Sequence, residues 1–558
     1  MPIPLTRDEL RRKDGRWLLE IDYPGGVLRV ADKEATITHN DGTYQYAEGL
    51  TGMDLSLQED LAEISISLAM KDVDFLRGMA RGYVLERMSA ELSRWYEGQT
   101  YERRRVVSTG VLRKVTTGAP GDVARLQGVL TQTTRSLGNP VVMMQVSKDE
   151  FNAGSTIITD SLVNTAITDD CPSIGLYVPI VIGYPFWIPA LELSMTEETI
   201  SDSKYPRWAL AAHAIEAEDI YLMSDRDTQL VDSSDVNRDV YTANTDLGTR
   251  TECRLTTSAP FSTDNQVNTG GKFFWGLNKT TGGGMLNPYR TGALVGLSDV
   301  LRYLYDKVGG RKVDEGRFES YAQELNMLEI STWINEPVSV DDWISGHITS
   351  VPYPVRIIEG RGGVYARRRT YRPEPTDAVT TLSTAGEGGA IAVARQTGLE
   401  PVDVEIMNRV QVNYGPLSAG NTFSKTIEIS PQFYDYNETA TAISNAFNQM
   451  THICEVSANL FGERMGVVDL RDCWDASTAT TIAMELLFMQ AMPRYQVTYQ
   501  GGRDLESLEI GDVVLLTDPE LLFESRVATV EDVLFGQALS QVRLEVRTDG
   551  LAFDASTS

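Results

Sequence analysis

LEIGDVV, residues 508–514, is the stretch around which the fold of this chain can be predicted. Gly511 and Asp512 predict a tight turn, because glycine adopts positive φ at no steric cost and aspartate readily bonds nearby backbone. Before it, residues 475–491 have apolar side chains at helical spacing, and residues 494–500 alternate as a strand does. A helix followed by a small β-unit is therefore predicted, with three further strands at 513–517, 525–535 and 539–547.

The composition predicts a β-rich, multidomain protein. The chain has 558 residues, of which 42% are hydrophobic and 23% charged, as is ordinary for a globular protein. At roughly 150 residues per domain, this length gives about three or four domains, each able to bury a core. Its 46 glycines and 22 prolines, spread among alternating runs, indicate many short strands and turns. We expect a mainly β fold with α+β modules, sandwich or barrel-like domains and one small helical module.

The formal charge of −28 argues against one class of function. A protein that binds nucleic acid by neutralising phosphates needs clustered Lys and Arg. A conduit through which DNA slides without sticking would instead be served by negative or neutral walls. Any contact with DNA is therefore expected to be transient and nonspecific.

Neither secretion nor stable membrane insertion is predicted. Residues 1–16 are charged and lack the apolar core of a signal peptide. The most apolar run, 176–191, is too short to span a bilayer and contains Pro179, Pro185 and Pro189.

Residues 1–170 are interpreted as a self-contained β-rich unit. The turn Asn40-Asp41-Gly42 suits a tight hairpin, since Asp-Gly supplies the positive φ that such a turn needs. The predicted elements are a hairpin (34–39 and 43–47), an alternating strand (64–70), a short helical piece (72–82) and a long hairpin (90–96 and 106–115).

Residues 171–297 are interpreted as a β-domain with loop inserts. The run VPIVIGYP, residues 178–185, must be extended, because its prolines lack a donor and would clash inside a helix. Residues 208–222 are interpreted as a strand pair. The acidic stretch 225–252 and the Gly-, Asn- and Thr-rich stretch 262–289 are interpreted as loops.

Residues 298–370 carry the clearest helical signals. Ser298, Asp314 and Ser339 are predicted N-caps, each followed by apolar residues at helical spacing. Ser339, with Asp342 three residues on, resembles a capping box. The first helix is predicted to end at residues 309–310, both glycine, and strands are predicted at 355–359 and 363–369.

The remainder divides into a linker and a fourth region. Residues 371–400 are rich in Pro, Gly, Thr and Ala and are interpreted as a linker or loop. Residues 401–558 are interpreted as a second β-domain that includes the closing unit. Its predicted elements are a strand pair (408–414 and 422–430), a helix from Asn437 to Met450, and a helix capped by Asp475 or Ser477.

The four cysteines predict no cofactor or metal. Cys171, Cys253, Cys454 and Cys473 lie far apart and form no CxxC pair. This spacing supports neither a zinc site nor a dense disulfide framework, and buried free thiols are favoured.

The four histidines predict no catalytic site. His39, His213, His347 and His452 stand in no HExxH or other two-histidine metal spacing. A nucleophile pair of His452 and Cys454 is conceivable, but positions two apart on a helix point in different directions. No nucleophile elbow or Walker phosphate loop occurs, so no catalytic residue is assigned.

Two charged segments can each be interpreted as a ligand-binding site or as an ordinary structural feature of the surface. The glycine-rich turn 360–363 beside the three arginines of 367–369 could cradle an anion. A hairpin whose arginines pair with acidic neighbours is favoured. The aspartates of residues 225–239 could bind calcium, but Leu230 stands where an EF-hand loop needs glycine, so a solvated loop is favoured.

The order of these elements resembles the central tail-tip, or baseplate hub, proteins of tailed bacteriophages. The resemblance covers about residues 171–558 and rests on a succession: proline-fixed strand, helical module with Trp343, linker, strand pair, helix and closing β-unit with Gly511 and Asp512. It implies a structural virion protein, without enzymatic activity, at the tip of the tail. Some such proteins bind an iron–sulfur cluster through cysteines, but the cysteine spacing gives that no support.

The resemblance also implies partners. A homotrimer would continue the tube ring, contact tail-tube, tape-measure and fibre or spike proteins, and open to let tape-measure protein and DNA pass. Residues 1–170 exceed what the simplest hubs need, which makes a fused adaptor one interpretation of them. Because the chain ends soon after the closing unit, fibre or spike function is predicted to lie on another protein.

Two other classes of function stay open. A tail-fibre or adsorption protein would bind the host through exposed aromatic sites. A β-rich polysaccharide hydrolase would use a carboxylate pair, which 78 Asp and Glu residues can supply by chance. Such hydrolases are usually long β-helices, whose repetition this sequence lacks.

Overall fold

The computed structural model describes most of the chain between residues 15 and 547. The described ranges are 15–23, 26–39, 42–57, 63–69, 88–117, 125–132, 176–194, 207–215, 221–224, 237–245, 248–256, 273–277, 283–351, 353–360, 363–369, 373–386, 390–402, 405–417, 422–429, 443–535 and 539–547.

Strands dominate the described residues, as predicted. The strands are β1 (Gly15–Tyr23), β2 (Gly26–Ala31), β3 (Ala35–His39), β4 (Gly42–Glu48), β5 (Leu50–Leu57), β6 (Glu63–Ala69), β7 (Ser89–Tyr96), β8 (Arg105–Thr117), β9 (Arg125–Gln132), β10 (Ile180–Ile182), β11 (Ile188–Pro189), β12 (Leu191–Ser194), β13 (Arg207–Ala211), β14 (Tyr221–Ser224), β15 (Asn237–Thr245), β16 (Gly248–Thr256), β17 (Phe273–Gly276), β18 (Thr332–Ile334), β19 (Val355–Gly360), β20 (Gly363–Arg368), β21 (Ala378–Ser383), β22 (Ile391–Arg395), β23 (Glu400–Pro401), β24 (Arg409–Leu417), β25 (Thr422–Ile429), β26 (Met465–Leu470), β27 (Arg494–Gly501), β28 (Val513–Asp518), β29 (Phe523–Phe535) and β30 (Ser540–Arg547). The α-helices are α1 (Leu297–Tyr303), α2 (Glu315–Leu325), α3 (Val340–Ile344), α4 (Ile443–Phe461) and α5 (Ala476–Gln490).

The N-terminal strands form one sheet in the order β5-β6-β9-β8-β7-β1-β2-β4-β3. Both predicted hairpins are confirmed, since β3 pairs with β4 and β7 with β8, each antiparallel. The helical piece predicted at 72–82 lies outside the described residues. Strand β1 is buried on both faces, because Trp17, Leu19 and Ile21 enter one core while Leu18 enters another.

The prediction that this sheet is self-contained is wrong. Strand β5 pairs antiparallel with β29 near the end of the chain. Trp17 and Leu92 of the sheet share one apolar core with Val514 and Leu544 of the closing unit. The physical reason is that β5 has a free edge and the sheet an apolar face, and the closing unit covers both.

The second region is a set of small sheets. The proline-fixed run is extended, as predicted, and its β10 pairs with β18. The strand pair predicted within 208–222 is wrong, because β13 pairs with β12 and β16 whereas β14 pairs with β17. The loop prediction for 225–252 is also wrong in part: β15 and β16 form a hairpin, since their threonines, with Val240 and Tyr241, favour extended backbone.

The helical module forms largely as predicted. Asp314 accepts a hydrogen bond from Arg317 N, and Ser339 accepts one from Asp342 N, so both caps are confirmed. The Ser298 cap is wrong, because Ser298 is buried within the first turn and the helix begins after Gly296. The side chain of Asn326, from the turn after α2, takes the capping role by accepting from the amide of residue 299 at 3.2 Å.

The closing unit is a six-stranded closed β-barrel. Neighbouring strands follow the circuit β21-β28-β29-β30-β27-β22 and back to β21. The linker predicted at 371–400 is therefore wrong, since it supplies β21 and β22. The reason is burial: Leu382, Ile391 and Val393 point into the barrel core between small and polar neighbours.

Residues 405–490 form an excursion between two barrel strands. Strands β25, β24 and β26 make a small sheet, in which the predicted pairing of β24 with β25 is confirmed. Helix α5 is capped by Asp475, one of the two caps predicted for it. Helix α4 extends well past Met450, where the sequence predicted its end, and Asn437 lies outside the described residues. One core joins this sheet and α5 to the helical module.

Candidate functional site

The described residues contain no group of three or more His, Cys, Asp or Glu placed to hold a metal ion. In the same part of the chain, no helix is long and apolar enough to cross a membrane.

Two of the four cysteines can be placed with their side chains. Cys454 and Cys473 are free and buried. Burial raises the pKa of each thiol to about 12, so both stay protonated at neutral pH. Cys253 lies on β16 without a described side chain, and Cys171 lies outside the described residues.

The four histidines lie apart. His213 accepts from Val181 N through Nε2 at 2.9 Å and donates through Nδ1 to Ala214 O at 2.8 Å, so it is neutral. Burial lowers the pKa of His213 to about 4. His39 lies beside two tyrosine rings, and His452 lies on α4. His347 has an acidic partner, described below.

The arginines after the glycine-rich turn pair with carboxylates. Arg367 donates to Asp512 at 2.9 Å and Arg368 to Glu485 at 2.7 Å. Residues 361–362 of the turn lie outside the described residues, while Gly360 and Gly363 pair across it. The hairpin interpretation of this segment is therefore confirmed.

Three ion pairs join the helical module to the barrel, and we call this set the module–barrel clamp. Its cations stand on α2, β19 and β20, and its carboxylates lie in or beside the barrel. The pairs are Arg317 with Glu509, Arg367 with Asp512, and Arg356 with Glu531.

Glu509 and Asp512 belong to the LEIGDVV stretch, whose turn orients them. Glu509 N donates to Asp512 Oδ2 at 2.8 Å, and Gly511 between them has φ of 86°. The amide of Gly511 donates to Val530 O at 2.8 Å, which fixes the turn on β29. The turn thus leaves Asp512 Oδ1 directed at Arg367.

Burial makes the clamp sensitive to the loss of one partner. The pKa of Asp512 lies above its ordinary value because burial outweighs the neighbouring Arg367. Burial lowers the pKa of Arg317, but the hydrogen bond and charge of Glu509 outweigh it and raise that pKa. The Tyr365 ring lies under the Arg317 guanidinium at 4.7 Å, a cation–π contact.

A cavity of about 380 Å³ opens where the helical module meets the small sheet, and we call it the tryptophan cleft. Its size lies at the lower end of the range for ligand sites. Aromatic and charged side chains share its lining, which includes Trp333, Glu336, Trp343, His347, Phe423 and Asp472.

A histidine–aspartate pair lies in the tryptophan cleft. His347 Nδ1 is 2.7 Å from Asp472 Oδ2, and its ring stacks on Trp343 with centroids 4.8 Å apart. Burial lowers the pKa of His347, but the hydrogen bond and charge of Asp472 outweigh it, so the pKa lies above its ordinary value. The described lining of the cleft contains no serine or cysteine.

The sequence interpretation missed both sites. It read the LEIGDVV turn correctly but assigned no partner to Glu509, because Arg317 stands 192 residues away. Trp343 and His347 are spaced four apart, which is a usable signal because Trp343 lies on α3 and His347 in the π-helical turn Ser345–Thr349 that continues it. The sequence gives no signal for Asp472, because this residue stands 125 positions from His347 in the chain.

Comparisons with known proteins find similar chains among solved structures. No protein-family model matches the sequence, and a search of curated proteins finds no match. Among solved structures, the chain is similar to one from the virion of a native gene transfer agent particle, at 15% identity and a TM-score of 0.41, over 75% of this chain and 94% of that one.

Two crystal structures of tail proteins are similar over most of their length. A tail protein from Neisseria meningitidis MC58 matches at 9% identity and a TM-score of 0.39, over 96% of this chain and 97% of that one. A 43 kDa tail protein of prophage MuSo2 from Shewanella oneidensis matches at 8% identity and a TM-score of 0.35, over 96% of this chain and 99% of that one. All three scores are below 0.5, too low to carry an argument about function.

Proposed function

We propose that this chain is a structural virion protein of a tailed bacteriophage and that it forms the hub of the tail tip or baseplate. The observation that carries the proposal is the succession of elements along residues 171–547. The proline-fixed strand β10, the capped helices α2 and α3, the β24–β25 pair, α5 and the last four barrel strands occur in the order on which the hub resemblance rests, while the barrel strands β21 and β22 stand in place of the linker.

The role proposed is mechanical. Three copies would form a ring that adapts the tail tube to fibres or a spike, closes the conduit before infection, and opens for tape-measure protein and DNA. The charge of −28 suits a wall along which DNA slides, because acidic side chains repel phosphates. The module–barrel clamp would keep each copy rigid under load.

Imaging of assembled particles tests this proposal. A chain tagged at its N-terminus should appear at the distal end of the tail, labelled on three copies per particle. Light scattering of the purified chain at high concentration should give a trimer or a reversible approach to one. A strictly monomeric protein that is also absent from isolated tails would contradict the hub role.

The tryptophan cleft favours a second candidate, an adsorption protein that binds a surface saccharide. Sugars stack their C–H faces on aromatic rings and bond through planar polar side chains, and the cleft offers Trp333, Phe423 and Glu336. Titration with cello- and chito-oligosaccharides should then show saturable binding.

Gly346 provides a specific block of this cleft. It lines the cleft, and a Cβ built on it meets no other atom within 4 Å. Gly346→Leu should therefore obstruct part of the cleft at little cost to the fold and should weaken saccharide binding. Unchanged binding by this variant would remove the cleft from consideration.

A further inference from the structure

The tip where β28 turns into β29 consists of residues 518–525, including the strand ends, and it holds an apolar side chain in an unfavourable position. Leu522 has φ of 58°, in the left-handed region, and is 88% exposed. Ser525, three residues later, also has a positive φ of 54°. A β-carbon disfavours this backbone region, and glycine or asparagine normally occupies it at the end of a helical turn.

Both sides of the tip are anchored, so the position of Leu522 is imposed. Asp518 is buried, and its carboxylate accepts from Tyr499 Oη at 2.9 Å and from Glu520 N at 3.1 Å. Leu521 and Phe523 pack against the barrel core. The turn therefore projects the Leu522 side chain into solvent while its neighbours pack inward, and we call this side chain the knob.

The exposure of Leu522 and its backbone strain both lower the stability of the isolated chain. Because Leu522 is exposed to water, no burial of its side chain offsets the backbone strain that its β-carbon causes. Asparagine at position 522 would therefore give the free protein a higher stability. Backbone strain of this kind concentrates at functional positions. The arrangement is accounted for if a partner buries the knob.

Charge around the knob identifies the chemistry of the partner. Glu524 is exposed on one side of Leu522, and on the other side Glu520 has a side chain that is 79% exposed and pairs with Arg395. Arg395 also pairs with the buried Asp518, so the tip carries three carboxylates for one arginine and stays acidic. A second copy of a chain with formal charge −28 is a poor match for an acidic tip. We infer that Leu522 docks into an apolar socket, rimmed by Lys or Arg, on a different protein. This inference follows from the tip itself and holds wherever the chain is located.

Site-specific photo-crosslinking tests the inference. The full chain keeps Leu522 and carries benzoylphenylalanine at the exposed position 519, whose carbonyl accepts from Leu522 N at 3.2 Å. It is produced in infected cells, and crosslinked peptides are mapped. Crosslinks to a different polypeptide, at an apolar residue with Lys or Arg within a few positions, are expected. No crosslink, or crosslinks mainly to a second copy, would overturn the inference.

Two leucine variants supply the matched comparison. Leu522→Asn should keep or raise the thermal midpoint of the purified chain, yet lower its association with the crosslinked partner roughly ten- to hundredfold. Leu460→Asn alters an equally apolar side chain that is 49% exposed on α4 and should associate normally. Equal association of both variants would contradict the docking role. Absence of the wild-type chain from particles would contradict the proposed location in the tail. The crosslink map would still show whether Leu522 docks on another protein.

Discussion

Arg317, on α2, donates to both carboxylate oxygens of Glu509 in the barrel's leading turn, with Nη2 and Oε1 2.6 Å apart. We expect Arg317→Lys to lower the free energy of unfolding by about 1–3 kcal/mol, because an ammonium cannot make the two-pronged contact and leaves a half-buried carboxylate poorly paired. Urea denaturation measures the change.

Arg302→Lys is the control for that substitution. Arg302 pairs with Glu315 at 3.3 Å inside the module, but the Glu315 side chain is 71% exposed. The Arg302 side chain itself is 12% exposed, and its guanidinium lies 4.0 Å from the centre of the Tyr289 ring. A lysine can keep that cation–π contact, and the substitution leaves only an exposed carboxylate without its partner, so the loss should stay below about 1 kcal/mol. Equal losses for the two variants would mean that the clamp is no more than a surface ion pair.

The His347–Asp472 pair should make stability depend on pH. The folded pKa of His347 lies above its ordinary value of 6.5, so its contribution is fully present below that value and is lost as pH rises through the folded pKa. Thermal midpoints of the wild-type chain should fall relative to His347→Gln from about pH 6.5 upward. Asp472→Asn should remove the same slope, and a slope that survives in both variants would exclude this pair as its source.

His213 should act in the opposite direction. Its folded pKa is about 4, so the unfolded chain binds the proton more tightly and stability falls as pH decreases from about 6.5 toward 4. The His213 ring resonances in an NMR titration should stay those of the neutral form down to about pH 5. Titration near pH 6.5 would show that the Val181 N–H is not bonded to Nε2.

Gly363 should tolerate no side chain. It has φ of 134°, and an added Cβ would lie 2.3 Å from Lys312 O. Gly363→Ala should cost about 3 kcal/mol or more, from strain and backbone clash together. Gly386→Ala, at φ of 71° with open space around the Cβ, should cost only about 1 kcal/mol. Thermal unfolding of the two variants gives the comparison.

Cys454 and Cys473 should resist thiol reagents in the folded chain. Both thiols are buried and protonated at neutral pH, and the thiolate is the reactive form. In a Cys171→Ser, Cys253→Ser background, labelling by a disulfide reagent should be slow until denaturant is added. Rapid labelling of either thiol in the native state would contradict the burial.

Sequence patterns predicted the helix starts correctly where the backbone donors of the first turn are bonded by a side chain next to them in the sequence. Asp314, Ser339 and Asp475 cap helices that begin at the next residue, so spacing alone located them. Ser298 failed because a side chain from the turn after α2, Asn326, caps that helix instead. Propensity describes neighbours along the chain, and it cannot detect a partner brought in by packing.

The barrel shows the same limit on a larger scale. Its strands β27 to β30 alternate and were predicted, whereas β21 and β22 lie among threonines, alanines and glycines that resemble a loop. The strands β21 and β22 can be recognised only in the folded protein, where Leu382 and Ile391 are buried against strands that lie more than 100 residues further along the sequence. Pairing across long sequence separation likewise concealed the clamp and the tryptophan cleft.

The pairing of β5 with β29 sets an order of events during synthesis. The edge of β5 leaves the ribosome early, but its partner is made only near the end of the chain. At bacterial rates of about 5–20 residues per second, that edge waits for tens of seconds with its backbone donors and acceptors open to other nascent chains. A chaperone, or slow translation of the β29 codons, would therefore change the yield of soluble protein more than its final stability.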